Sequence, residues 1–199
     1  MRAMLVNHKN NYLDIEADGH YHLSVDLSRF TGAVTTGAVF AMRNQVAASN
    51  NKVIALSKIN AHLAHTAAGN AQSVQVFWGK RFSTATHSGG SSILTSIAKH
   101  RSDGPASVLL DARIADITGT SPLTDTSVVY DSPFRSRLLP RTVGSSVVSL
   151  WSTSEHDKEC FLLPGEGFAL IIKNTAVAGD GILLDLEWDE YDKDLISTY

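Results

Sequence analysis

The sequence predicts an all-β, antiparallel protein, a sandwich or barrel of about eight strands, and three observations carry that expectation. In the closing run, Ile182, Leu184, Leu186 and Trp188 fall on one face while Leu183, Asp185, Glu187 and Asp189 fall on the other. A side-chain period of two belongs to a half-buried extended strand. Turn residues recur about every ten positions, the spacing of short strands joined by tight connections. Alternating strand–helix units, heptads and internal repeats are all missing from the pattern, which sets parallel α/β architectures aside.

The elements follow in order. Residues 1–35 differ from the rest and are predicted to form an N-terminal arm or edge hairpin; residues 36–199 form the sandwich domain. Within the arm, short alternating runs flank Asp18-Gly19, a dipeptide that favours a tight hairpin because Gly accepts positive φ. Phe30 to Gly37 is rich in Gly, Thr and Ala and reads as irregular. Strands are predicted over Ala38 to Arg43, Lys52 to Thr66 and Ser73 to Thr84, with a break at Gly89-Gly90. Ser91 to His100 is ambiguous: Ile93, Leu94, Ile97 and Ala98 also suit a helical face capped by Ser91 or Ser92. Strand is preferred because every neighbour is a strand. Further strands are predicted at Ser107 to Ile117, Val128 to Tyr130 and Val143 to Trp151. Ser132 to Arg141, bounded by prolines, reads as a loop. Cys160 to Thr175, in which Gly165 and Gly167 after Pro164 suit a turn or bulge that feeds Phe168, Leu170 and Ile172 into a core, and Ile182 to Tyr191 close the list.

A chain of 199 residues fits one domain, or one domain with an arm. It can bury roughly 70% of its unfolded surface and needs no covalent staple. Charged residues make up 19%, below the usual value of about 25%, which suits a β protein with much of its surface in contacts. The net charge of −3 lacks the basic excess of a nucleic-acid binder. Arg135, Arg137 and Arg141 cluster around Pro133 and Pro140 and read as a solvated or interface loop, with phosphate binding as the alternative. A single cysteine, Cys160, excludes an intrachain disulfide; opening an apolar strand, it reads as a buried inert thiol. The N-terminus lacks the apolar core of a signal peptide and no apolar run reaches membrane-spanning length. A reducing, aqueous compartment is therefore expected, with no membrane and no nucleic-acid partner.

The chemistry that could be present is weakly signalled. Asp185, Glu187 and Asp189 share one strand face and read as a solvated or partner-facing row; calcium or a glycosidase pair would need oxygens from other elements. His20 and His22 share a face, and His62 and His65 have helical ligand spacing, but neither pair has an HExxH or CxxC companion. Trp78-Gly79-Lys80-Arg81 lacks the spaced first glycine of a phosphate loop, and Gly165-Glu166-Gly167 is a lone GxG in β structure. Trp78, Trp151 and Trp188 sit in apolar alternation and read as core, with a sugar-stacking platform as the alternative. No catalytic, cofactor-binding or metal-binding residue is assigned, no cofactor is expected, and the chain is not read as an enzyme.

Leu163-Pro164-Gly165-Glu166-Gly167-Phe168-Ala169-Leu170, then Asn174-Thr175-Ala176 and Leu184-Asp185-Leu186-Glu187-Trp188, resemble a group of small β-sandwich virion proteins of tailed bacteriophages. Thr86 to Ser92 through Ala98 to Ala106 is similar to the Gly-Gly, basic-His-Asp, Pro pattern of that group. The resemblance spans roughly residues 38 to 191 and rests on turn-and-strand signatures. It implies a jelly-roll-like sandwich on the virion, made in the host cytoplasm. The implied role is a capsid decoration or cement protein, a homo-oligomer, often a trimer, seated on the major capsid protein. A tail- or fibre-associated protein, or a carbohydrate-binding sandwich module, is the alternative.

Overall fold

The computed structural model describes residues 2–6, 12–27, 36–45, 51–65, 74–83, 85–116, 122–133, 135–140, 144–152, 160–173 and 181–193. These hold fifteen strands and one 3₁₀ turn. In chain order the strands are β1 (Arg2–Val6), β2 (Tyr12–Glu16), β3 (Gly19–Leu27), β4 (Gly37–Asn44), β5 (Lys52–His65), β6 (Val74–Ser83), β7 (Ser91–Ser92), β8 (Ala98–Lys99), β9 (Leu109–Ile114), β10 (Val129–Tyr130), β11 (Arg135–Pro140), β12 (Gly144–Ser152), β13 (Cys160–Leu162), β14 (Gly167–Ile172) and β15 (Gly181–Asp192). The 3₁₀ turn spans Leu94–Ser96.

Two antiparallel sheets pack face to face. The first has the order β12-β5-β15-β3-β8, with β13 also on β5; the second has β10-β6-β14-β4-β9-β7, with β11 also on β6. The chain passes repeatedly between them: β3 in the first sheet, β4 in the second, β5 in the first, β6 and β11 in the second, β12 in the first, β14 in the second, β15 in the first. Those eight strands stand as β3-β15-β5-β12 against β4-β14-β6-β11, the interleaved double Greek key of a jelly roll. The short strands are additions at the edges of this frame, and among the described residues β1 and β2 pair only with each other.

The core lies between the sheets. Tyr21, Leu23 and Val25 of β3 and Leu184, Leu186 and Trp188 of β15 meet Phe40 and Met42 of β4 and Phe168, Leu170 and Ile172 of β14. Burying side chains of this size supplies the main driving force for the sandwich. Strand β14 is buried on both faces, because Ala169 and Ile171 enter a second, smaller cluster with Phe82, Ala38 and Leu123 on the outer side of the second sheet. The turn into β14 is made as Pro164-Gly165 suggests. Glu166 N donates to Leu163 O at 2.9 Å, and Gly165 takes φ +87°, the type II arrangement of Pro then Gly.

Four expectations are corrected. Residues 19–27 are not part of an arm: β3 pairs with β15 from Gly19 to Leu27 and points Tyr21, Leu23 and Val25 into the core. Asp18-Gly19 makes no hairpin, since β2 and β3 lie in different sheets. Gly19 serves another purpose; a Cβ there would stand 2.3 Å from the Tyr21 hydroxyl, so its bareness makes room for that ring. Residues 135–140 are strand β11, paired with β6. Pro140 closes that strand, a position where a missing N–H costs little. Ser91 to His100 is neither a continuous strand nor a Ser-capped helix: two short strands flank the 3₁₀ turn, whose cap position is Ile93. Ile93, Leu94 and Ile97 pack on the main core, which is the source of the mixed periodicity.

Candidate functional site

A cleft of about 630 Å³ is walled by the start of β3, the end of β15, Ser57 of β5 and the segment 99–105. Two contacts shape its floor. The Tyr21 ring stacks on Trp188 at 5.6 Å, and the Tyr21 hydroxyl donates to Pro105 O at 3.1 Å. The rim is set by the backbone: His100 N donates to His20 O at 3.0 Å and β8 pairs with β3 through Tyr21 and His22. Lys99 Nζ donates to Gly104 O at 2.7 Å and Arg101 is paired with Asp103 at 2.9 Å, closing the loop on itself.

Two imidazoles line the cleft, His20 and His100, and His22 stands beside them. His20 donates from Nδ1 to Asp189 Oδ1, and the other oxygen of that carboxylate accepts from Tyr191 at 3.4 Å. The His100 ring stands 6.5 Å from His20 and 5.2 Å from His22, edge-on to both. The carboxylate orients the His20 ring, as an imidazole used as a base or ligand requires. Ser57 Oγ, on the same wall, donates to Glu187 O at 3.0 Å. Among the described residues, no group of three or more His, Cys, Asp or Glu is placed to hold a metal ion.

The acidic row lies on the outer face of the first sheet and is met, residue by residue, by neighbours on adjacent strands. Asp185 accepts from Ser24 Oγ at 2.7 Å and faces His62 at 3.2 Å. Glu187 accepts from Lys58 at 2.8 Å, and Asp189 from His20. Cross-strand pairs of this kind are what an antiparallel register places together. The side chain of His65 lies outside the described residues.

Beneath the cleft sits Glu190, 2% exposed. Its carboxylate accepts from Ser107 Oγ at 2.6 Å, Val108 N at 3.1 Å and Trp188 Nε1 at 3.3 Å. Burial pushes its pKa up, while those donors pull it back. Burial also raises the Tyr21 hydroxyl, and the charge of Glu190 adds to that effect. Glu190 therefore pins the incoming end of β9 to the first sheet and fixes the segment that roofs the cleft. Sequence reasoning passed over it, although a signal existed: Glu190 continues the inward parity of Leu184, Leu186 and Trp188.

The remaining candidates separate. Trp188 is core at 1% exposure. Trp78 lies on the outer side of the second sheet, with Lys173 Nζ 4.0 Å and Lys80 Nζ 5.1 Å from its ring centroid; cations occupy the ring surface that sugar stacking would use. The side chain of Trp151, the side chains of Arg135 and Arg137, and Arg141 lie outside the described residues. Trp78-Gly79-Lys80-Arg81 is the middle of strand β6. Cys160 is buried, and burial pushes its thiol up to about 12, so at neutral pH it is an inert thiol rather than a thiolate. No described helix is long and apolar enough to cross a membrane. Comparison of the chain with protein-family models, with curated proteins and with solved structures finds no match.

Proposed function

We propose that this chain is a virion structural protein of a tailed bacteriophage, a capsid decoration or cement protein that binds the major capsid lattice as a homo-oligomer, a trimer by the resemblance. The observation that supports the reading is the eight-strand frame β3-β15-β5-β12 over β4-β14-β6-β11, an architecture that viral capsid proteins share with lectins and cupins. Because fold alone does not assign function, the choice among those classes rests on the phage-like signatures at residues 163–170 and 184–188. Those signatures are structural: the first is the type II turn into β14 and the second is the stretch of β15 whose Leu184, Leu186 and Trp188 face the core. A subunit of this kind binds by area and shape, with at least about 1,000 Å² in each contact.

The test adds the purified protein to phage heads that lack it, then images the particles. Density of the sandwich at regular lattice positions is the expected result, with heads resisting heat or dilution better than bare ones. Density confined to the tail or fibres would replace the capsid assignment with the tail-associated one, and no density would overturn the virion reading. A shortened chain starting at Ala17 is the companion experiment. It removes β1 and β2 but retains β3, without which the first sheet loses Tyr21, Leu23 and Val25 from its core. If the arm grasps the lattice, this variant folds, keeps its thermal transition and loses at least tenfold in head binding.

A further inference from the structure

The second sheet carries a cover on its outer side, and the cover is held through one buried imidazole. Ser88 and Thr124 exchange backbone hydrogen bonds at 2.9 and 3.0 Å, and Leu123 N donates to Ala38 O at 2.8 Å. Segments 85–90 and 122–130 thereby close over Phe82, Ala169 and Ile171. His87 is wedged among them at 2% exposure, its ring edge-on to Phe82 at 4.7 Å. Its Nε2 lies 2.6 Å from the Tyr130 hydroxyl, and that hydroxyl donates to Asp125 Oδ2 at 3.1 Å.

The tautomer follows from counting protons. Tyr130 has one hydroxyl proton and gives it to Asp125, so its oxygen must accept from His87. The His87 proton is therefore on Nε2, and Nδ1 carries a lone pair. Nδ1 is buried with no hydrogen-bond partner among the described residues. Adding a proton there would create an N–H with no acceptor and a charge in an apolar slot.

We propose that His87 is an acid-released latch: neutral, it holds segments 85–90 and 122–130 on the second sheet, and protonation expels its ring and uncovers Phe82, Ala169 and Ile171. The charges facing the ring act in both directions. Asp125 and Asp111 favour the imidazolium, but Asp111 is already paired with Arg113 at 2.8 Å. Lys80, over the Tyr130 ring at 5.5 Å, opposes it. Burial outweighs both carboxylates and lowers the imidazole to about 4. The sign follows: the latch is at full strength above the free-imidazole value near 6.5 and is lost as pH falls from there towards about 4. Across that window the open form gains about 300-fold relative to the closed one.

Hydrogen exchange of the full-length protein, corrected for the intrinsic pH dependence of exchange, reads this opening in peptides covering 122–131. Their protection is expected to fall about tenfold per pH unit below 6.5 while β15 stays protected. In His87→Phe, which keeps a ring in the slot, that slope disappears. An unchanged slope in the variant, or protection in the wild type that does not fall with acidification, overturns the proposal. A second readout needs no variant: nitrogen chemical shifts of the His87 ring at neutral pH. A proton on Nε2 with a bare Nδ1 is expected, and a proton on Nδ1 would overturn it.

Discussion

Replacing Glu190 by alanine is expected to lower the unfolding free energy by about 3 kcal/mol, whereas Glu190→Gln costs less than about 1 kcal/mol. The alanine variant leaves Val108 N and Trp188 Nε1 without their acceptor and strips Ser107 Oγ of its own, all beneath the cleft. Glutamine retains an acceptor oxygen in the same place and removes a charge that burial penalises. The pair of variants also separates by pH. Burial raises Glu190 in the folded state, so its contribution is fully present below the ordinary carboxylate value of 4.5 and is lost as pH rises through the folded value. Denaturant titrations across that range are expected to show a loss of stability in the wild type that is absent in Glu190→Gln. Equal midpoints for the alanine and wild-type proteins would show that Glu190 is not the pin of the cleft roof.

Gly167→Ala is expected to be of comparable size, about 3 kcal/mol. In a chain of this length that corresponds to a fall in melting temperature of about 9 °C. Gly167 opens β14, which runs between β4 and β6. A Cβ at this position would lie 2.2 Å from Phe82 Cζ and 2.5 Å from Met42 O. The first obstacle is a buried ring and the second is the backbone of β4, so neither can yield without moving a central strand. Gly165→Ala is the comparison, because Gly165 has φ +87°, where an added side chain carries the left-handed backbone penalty of about 1–2 kcal/mol. If the two variants melt together, the close approach at Gly167 is not what requires glycine in the Gly165-Glu166-Gly167 sequence.

The strand β15 was legible because one face of it is buried along almost its whole length, and burial on one face writes a period of two into the sequence. Strand β5 shows where that rule fails. Ile59 and Ala61 point inward on one parity, Ile54 and Leu56 on the other. The register slips between Glu187 and Trp188, leaving Ser57 unopposed. A bulge reverses the facing of every residue beyond it, and no local signal marks where it falls. Edge strand β11 was illegible for a related reason. It pairs on one side with β6, and nothing in Arg135-Ser136-Arg137-Leu138-Leu139-Pro140 alternates. The candidate site was half visible. The shared face of His20 and His22 follows from strand parity alone, but His100 joins them from the far side of the 94–108 segment's fold, through a backbone bond to His20 that no local pattern announces.

By itself, then, the sequence determined the all-β class, the positions of most long strands, the inert thiol and the tight turn into β14. Each of these is a local matter of side-chain period, residue size or allowed φ. The tertiary structure alone decided the interleaved strand order, the membership of β3 in the sandwich, the cleft with its His20–Asp189 pair, and the burial of Glu190 and His87. Those depend on which distant segments meet, and pairing across a sheet brings together residues whose separation along the chain leaves no periodic trace.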